Sequence, residues 1–174
     1  DNTREVVLKY AARDKRIKYF ENTTNIGSGN NYLKCAKHAS GYFMQALGSD
    51  DWLSRNYIEE GVRSFLSNPD AASIFTNIVT LEIIPPSPPR FLSENVIKSG
   101  RYSADWFFRH TYHHPYLGSM GYQSFMRRDD FIKAMKEAIS NPVNFLDRGE
   151  RREPIDSTIF WEVLIKYDYF VVTN

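Results

Sequence analysis

The chain reads as an α/β fold with a mostly parallel central sheet flanked by helices. Three observations predict it. Through the first half, apolar and β-branched runs alternate with amphipathic helical stretches, the pattern of parallel strands joined by covering helices. One such run, Tyr42 to Leu47, passes into two adjacent carboxylates, Asp50 and Asp51, and ligands in such sheets sit at the C-terminal ends of strands. The length of 174 residues suffices for one sizeable core and predicts a single domain over 1–174.

In chain order, Asp1 or Thr3 can cap a helix carrying Val6, Val7, Tyr10 and Ala11 on one face. Ile17 to Phe20 reads as a short strand, and Asn22 to Asn30, rich in Asn, Thr, Gly and Ser, as a loop. The spacing of Tyr32, Cys35, Ala36 and Ala39 predicts a helix, with Gly41 placed to end it in the left-handed region. After the acidic pair, Ser54 is a suitable cap for a helix whose stripe is Ile58, Val62, Phe65 and Leu66. Ala71 to Ile84 reads as a strand, and Pro85 to Pro89 as a stiff exposed loop. Further helices are expected over Tyr102 to Tyr112, with Trp106, Phe107 and Phe108, and after Arg128, with Phe131, Ala134, Met135, Ala138 and Ile139 on one face. Tyr122 to Arg127 is an expected strand, Asp156 to Lys166 a last helix, and Tyr169 to Val172 a final strand.

Composition excludes several classes. Hydrophobic content of 42% and charged content of 25% are those of an ordinary globular protein. A formal charge of +1 with no long basic tract gives no footprint for nucleic acid. One cysteine, Cys35, excludes an internal disulfide framework and a Cys-rich zinc site, and fits a reducing compartment. No run of about 18 apolar residues predicts a spanning helix.

The first 80 or so residues resemble the inverting glycosyltransferases of family 2, which have the GT-A fold. Asp1-Asn2-Thr3 is similar to the end of that family's Asp-Asp-Gly-Ser-Thr-Asp-Asn-Thr segment. Asn25-Ile26-Gly27, then Asn31, then Ala39-Ser40-Gly41-Tyr42-Phe43 resemble its Asn-x-Gly loop, helix and Ala-x-Gly-x-Tyr strand start. Leu47-Gly48-Ser49-Asp50-Asp51-Trp52-Leu53 is similar to its Asp-x-Asp-Asp region, with Gly48 in place of the first Asp. Further on, Phe125-Met126-Arg127-Arg128 resembles the family's Arg-Arg strand end. Pro154-Ile155-Asp156-Ser157 resembles its Glu-Asp helix start, with Ile155 in place of Glu. The family's first strand, first helix and second strand are expected ahead of residue 1, which leaves the nucleotide-binding half N-terminally incomplete. On this resemblance, 1–84 is the remainder of the nucleotide-sugar half and 85–174 the acceptor half.

The resemblance implies transfer of a sugar, with inversion, from a nucleotide-diphosphate donor to a glycan or lipid-linked acceptor in polysaccharide or glycoconjugate assembly. It implies Mg²⁺ or Mn²⁺ held by Asp51 and Asp50, since such hard cations take few carboxylates and leave positions for phosphate oxygens and water. Asp156 is the implied catalytic base, and Asn25, Gly27, Asn31 and Ser49 the implied donor contacts. Trp106, His113, His114 and Arg128 are acceptor-side candidates. A cytoplasmic location, at the inner face of the membrane through peripheral association, and a homodimer are compatible with it. Each residue also has a plain structural reading. Asp50 and Asp51 suit a solvated turn, Asp156 suits a helix cap, and Gly27 suits a turn conformation. Arg127 and Arg128 suit pairing with Asp129 and Asp130, while the neighbouring His113 and His114 lack zinc-ligand spacing. Two other functions compete: a truncated or degenerate domain that binds glycan or a partner without catalysis, and a two-carboxylate glycoside hydrolase, which the sugar-nucleotide pattern disfavours.

Overall fold

The computed structural model describes residues 2–49, 51–77, 80–82, 90–92, 97–111, 123–140 and 162–173. In chain order these form α1 (Thr3–Arg13), α2 (Ser28–His38), β1 (Phe43–Met44), α3 (Tyr57–Ser67), β2 (Ser73–Thr76), β3 (Thr80–Glu82), β4 (Arg90–Leu92), β5 (Gly100–Ser103), α4 (Ala104–Thr111), β6 (Ser124–Arg127), α5 (Arg128–Ser140) and β7 (Tyr169–Thr173). A helical turn at 162–166 precedes β7. Strands β3 and β4 make a separate antiparallel ribbon.

The main sheet has the order β1-β6-β2-β7-β5. Only β2 and β7 pair in parallel, while β1 with β6, β2 with β6, and β5 with β7 pair antiparallel. The sheet is therefore mixed. Its strand directions retain a parallel set: β1, β2 and β7 run one way, with β6 inserted between β1 and β2 and β5 closing the edge in the opposite sense. The C-terminal ends of β1, β2 and β7 thus share one edge of the sheet with the starts of β5 and β6. We call this the exit edge.

Period-two alternation sorts side chains onto two faces. Phe75, Met126, Phe170 and Val172 point into a core shared with Leu33 and Ala36 of α2, Phe107 of α4, Phe131, Ala134, Met135 and Ala138 of α5, and Val163 and Leu164. Ile74, Phe125 and Val171 point the other way and pack under Tyr57 and Phe65 of α3. The buried face of α5 is the one its spacing predicts.

Other elements depart from expectation for identifiable reasons. Residues 17–20 take no strand conformation. The expected strand at Tyr42 to Leu47 pairs only over Phe43 and Met44. The expected run from Ala71 is cut at Asn77, whose side-chain amide donates to Ile97 O at 2.9 Å and accepts from Ile97 N at 3.0 Å. That side chain stands in for the ladder, and β3 begins afresh beyond it. Tyr102 belongs to β5 rather than to the helix that follows.

The helix stripes also rotate. In α2 the buried residues are Gly29, Leu33 and Ala36, and Cys35 is exposed. In α3 they are Tyr57, Gly61 and Phe65, while Ile58 and Leu66 are exposed. Ser54 does not cap α3. Asn56 holds that position without a side-chain cap bond, and Ser54 Oγ instead meets Asn56 Oδ1 at 3.3 Å. No residue of α1 is buried. Gly41 does not end α2 in the left-handed region, since the helix stops at His38. A Cβ on Gly41 would lie 2.9 Å from Phe43 O, so its smallness serves the turn into β1.

Gly61 is the contact point of α3 with the sheet. A Cβ there would lie 2.9–3.2 Å from the Phe125 ring, which is itself packed against Phe43 and Phe65. Gly61→Ala is expected to destabilise the fold by ~1–3 kcal/mol through overpacking. A lowered urea midpoint at unchanged slope is the measurement that checks it.

Candidate active site

Two features mark the site. The first is an open cleft of about 560 Å³ lined by 19–28 and Asn31, the loop leading into α2. Its conformation follows from its amide side chains. Asn25 Oδ1 accepts the Gly27 N–H at 2.9 Å, an Asx-type turn. Gly27 then adopts φ 77 and ψ 159 immediately before α2, a backbone region that is almost entirely glycine's. Asn31 N–H returns to Gly27 O at 3.1 Å, and Asn30 Nδ2 to Ile26 O at 3.0 Å.

Asn22 stitches the other wall. Its Nδ2 donates to Asn31 Oδ1 at 2.8 Å, and its Oδ1 accepts from Lys34 Nζ at 2.7 Å, which also donates to Glu21 O at 3.1 Å. Phe20 stacks on His38 with ring centroids 4.0 Å apart. The lining is thus amide, hydroxyl and aromatic, with Glu21 its one ionised side chain.

The second feature is the segment leaving β1. Past Met44 the chain quits the ladder and continues through Gln45, Ser49 and Asp51 before α3 begins. Asp51 N–H bonds Gly48 O at 3.3 Å, and the Asp51 residue is exposed. Among the described residues no cation pairs with the Asp51 carboxylate. Tyr57, at the start of α3, is buried. Burial pushes its phenol up to about 12, opposed in part by a hydrogen bond with Thr76.

Connectivity relates the two features. α2 ends at His38, and Ala39 O accepts from Arg128 Nη1 at 2.9 Å, while Tyr42 O accepts from Arg128 N–H at 2.9 Å. The C-terminus of α2 therefore lies where β6 ends and β1 begins. The cleft at the N-terminus of α2 and the β1 exit are thus linked in the chain through α2 and β1.

Asn25, Gly27 and Asn31 are brought together in the cleft, and Ser49 and Asp51 lie on the β1 exit. Asp50, His113, His114 and Asp156 lie outside the described residues. Arg128 is not on the exit edge. It sits at the start of β1, engaged with Ala39 O and with Asp129 Oδ1 at 3.0 Å. Trp106 is set in an aromatic stack with Tyr102, His110 and Phe170 rather than in the cleft. Among the described residues no cluster of three His, Cys, Asp or Glu side chains can hold a metal. The cleft residues Tyr19, Phe20, Asn22, Thr23 and Thr24 carried no motif, and Tyr57 and Gln45 gave no sequence signal.

The described chain is an α/β domain with a polar cleft before α2 and an exposed carboxylate on the exit from β1. The model of glycosyl transferase family 2 matches residues 1–134, and the chain belongs to that family, which has the GT-A fold. It is also similar to the uncharacterized glycosyltransferase MG025 of Mycoplasma genitalium, 41% identical over 66 residues. That match spans 37% of this chain and 22% of the relative's length. No helix among the described residues is long and apolar enough to cross a membrane.

The Asn25–Gly27 turn gives a direct test. No atom of the described residues lies within 4 Å of a Cβ built on Gly27, so Gly27→Ala acts through its backbone. It is expected to cost about 1–3 kcal/mol in thermal or urea unfolding, and unchanged stability would show that the turn is not held at that φ.

Proposed function

We propose that this chain works in an inverting, metal-assisted transfer of a sugar from a nucleotide diphosphate to an acceptor hydroxyl. The observation that carries this reading is an exposed carboxylate, Asp51, on the segment leaving β1 of a family 2 domain. The cleft, with amide and hydroxyl groups and one ionised side chain, suits the uncharged nucleoside; a diphosphate there would lack compensating charge. The diphosphate then belongs at the β1 exit, beside Ser49, Asp50 and Asp51.

Asp51 fits a hard divalent cation: an exposed carboxylate, without an ion-pair partner among the described residues, followed directly by chain that is anchored in the core through Leu53. Asp50 shares that duty or holds the ribose. Mg²⁺ or Mn²⁺, when bound, supplies Lewis-acid neutralisation of the departing diphosphate. Asp156 takes the proton of the acceptor hydroxyl, and residues 85–174 shape the acceptor pocket. Glycan or lipid-linked acceptors, and work at the cytoplasmic membrane face, follow from the family and from no particular residue.

A second reading, binding without transfer, is favoured by one observation: Gly48 stands where the family has its first Asp, which removes a carboxylate. Calorimetry separates the two. UDP or GDP is expected to bind this chain more tightly with Mn²⁺ than without, and Asp51→Asn to abolish that gain. Absence of any nucleotide binding, with or without Mn²⁺, would sink the transferase reading.

Asp156→Asn is expected to lower transfer by at least about 100-fold, the scale of lost general-base catalysis, while nucleotide affinity stays within about twofold. A large affinity loss in calorimetry would instead identify Asp156 as a structural cap.

A further inference from the structure

The β1 exit poses a physical problem. The residues between Met44 and Tyr57 carry the acidic pair, and none of the described ones among them lies in a strand or a helix. Beyond the local bonds of Asp51 N–H to Gly48 O and Tyr57 N–H to Ser54 O, side-chain anchors tie this segment to the rest of the fold. One kind of anchor is apolar: Ala46 and Leu53 each pack against a core cluster. The other is polar and buried.

Tyr57 O–H donates to Gln45 Oε1 at 2.5 Å, and its oxygen lies 3.2 Å from Gln123 O. The phenol has one proton, and the shorter contact takes it. Gln45 is fixed in turn by its Nε2, which donates to Ala46 O at 2.6 Å. Gln45 is the first residue past β1, Tyr57 the first of α3, and Gln123 the residue before β6. One hydroxyl therefore joins the two ends of a loop whose hydrogen-bonded termini are twelve residues apart, and rests both on the start of β6. Asp50 and Asp51 lie near the middle of that loop.

We propose that Tyr57 is a positioning residue that clasps the ends of the 45–57 loop and thereby sets the place of the Asp51 carboxylate. Its part in metal and diphosphate binding rests on the transferase reading above; its part as a clasp does not. The chemistry of the phenol supports the role. Its ionisation is displaced upward by burial, so it remains a protonated donor throughout the neutral range and has no use as a base. At the same end of the sheet Gln123 Oε1 and Thr173 Oγ1 are buried without partners among the described residues, and removing the Tyr57 hydroxyl takes from Gln45 Oε1 the donor that ties it to α3.

The test uses Tyr57→Phe, which keeps the ring in the core and removes only the hydroxyl, and Gln45→Met, which removes the acceptor. Amide hydrogen exchange on the unliganded chain is expected to accelerate about tenfold or more over 45–51 in each variant. Exchange in β2 and β6 should stay at the wild-type rate, and the double variant should add nothing to either single one. Unchanged exchange over 45–51, or acceleration spread evenly over the sheet, overturns the clasp.

Calorimetry with UDP and Mn²⁺ reads the positioning role. The Mn²⁺ concentration for half-maximal UDP binding is expected to rise about tenfold in Tyr57→Phe, with metal-free UDP affinity within about twofold of wild type. Faster loop exchange with an unchanged Mn²⁺ midpoint overturns positioning. A wild-type chain that shows no Mn²⁺ response fails the metal site itself, and exchange then decides the clasp alone.

Discussion

Arg127 is the interaction on which the rest of the sheet depends. It lies at the end of β6, and its side chain is only 13% exposed. Its guanidinium donates to Ala71 O at 2.8 Å and to Pro69 O, the two carbonyls that bracket the turn from α3 into β2. It lies over the rings of Phe65 and Tyr167, at 4.9 and 4.7 Å from their centroids. Asp130, buried at the start of α5, faces it at 3.8 Å and accepts from Lys166 Nζ at 2.5 Å and Tyr167 O–H at 2.8 Å. That carboxylate raises the Lys166 pKa through the hydrogen bond between them. Five segments (α3, β2, β6, α5 and the chain into β7) meet in this cluster. Its worth lies less in net stability, which a buried ion pair seldom adds, than in the register it imposes, because any slip leaves a charge buried without its partner.

This cluster lies opposite the exit edge, and that placement explains the polarity of the sheet. Strands pinned at their β6-terminal end are free to finish raggedly at the other. β1 pairs for two residues only, and β2 ends where Asn77 turns its amide onto Ile97. The exit edge is thus a place where backbone leaves the ladder and side chains take over its hydrogen bonding. Such an edge can present carboxylates and amides to a ligand, since the cost of irregular backbone is met by amide side chains already in place. The same device recurs in the cleft, where Asn25 and Asn30 satisfy loop backbone and Asn22 holds the side chain of Asn31.

How much of this could be read from the sequence follows from the range of the interactions involved. The α5 face was legible because Phe131, Ala134, Met135 and Ala138 repeat strongly and nothing competes with them. The loop into α2 was legible through Asn25 and Gly27, whose turn is local and depends on residues two positions apart. The stripe of α3 was not. Choosing Tyr57 over Ile58 as the buried residue requires knowing that its hydroxyl finds Gln45 and Gln123, the latter 66 positions away. The mostly parallel expectation caught the direction of β1, β2 and β7 but not the antiparallel β6 between them, since strand order is set by contacts that no local pattern encodes. Arg128 looked available for a ligand because its hold on Ala39 O spans 89 positions.

The two polar centres divide the work of the fold. Around Asp130, charge is buried and fully committed, which fixes the scaffold. At the exit edge the acidic side chain of Asp51 stays exposed and uncommitted among the described residues, which leaves it able to bind. An exposed carboxylate on an irregular loop would ordinarily be mobile, and a mobile ligand binds a cation weakly because its ordering must be repeated at each binding event. A neutral, buried clasp resolves that conflict. The Tyr57 hydroxyl orders the loop from beneath without placing a cation beside the carboxylates, so the charge on Asp51 remains available to whatever the edge receives.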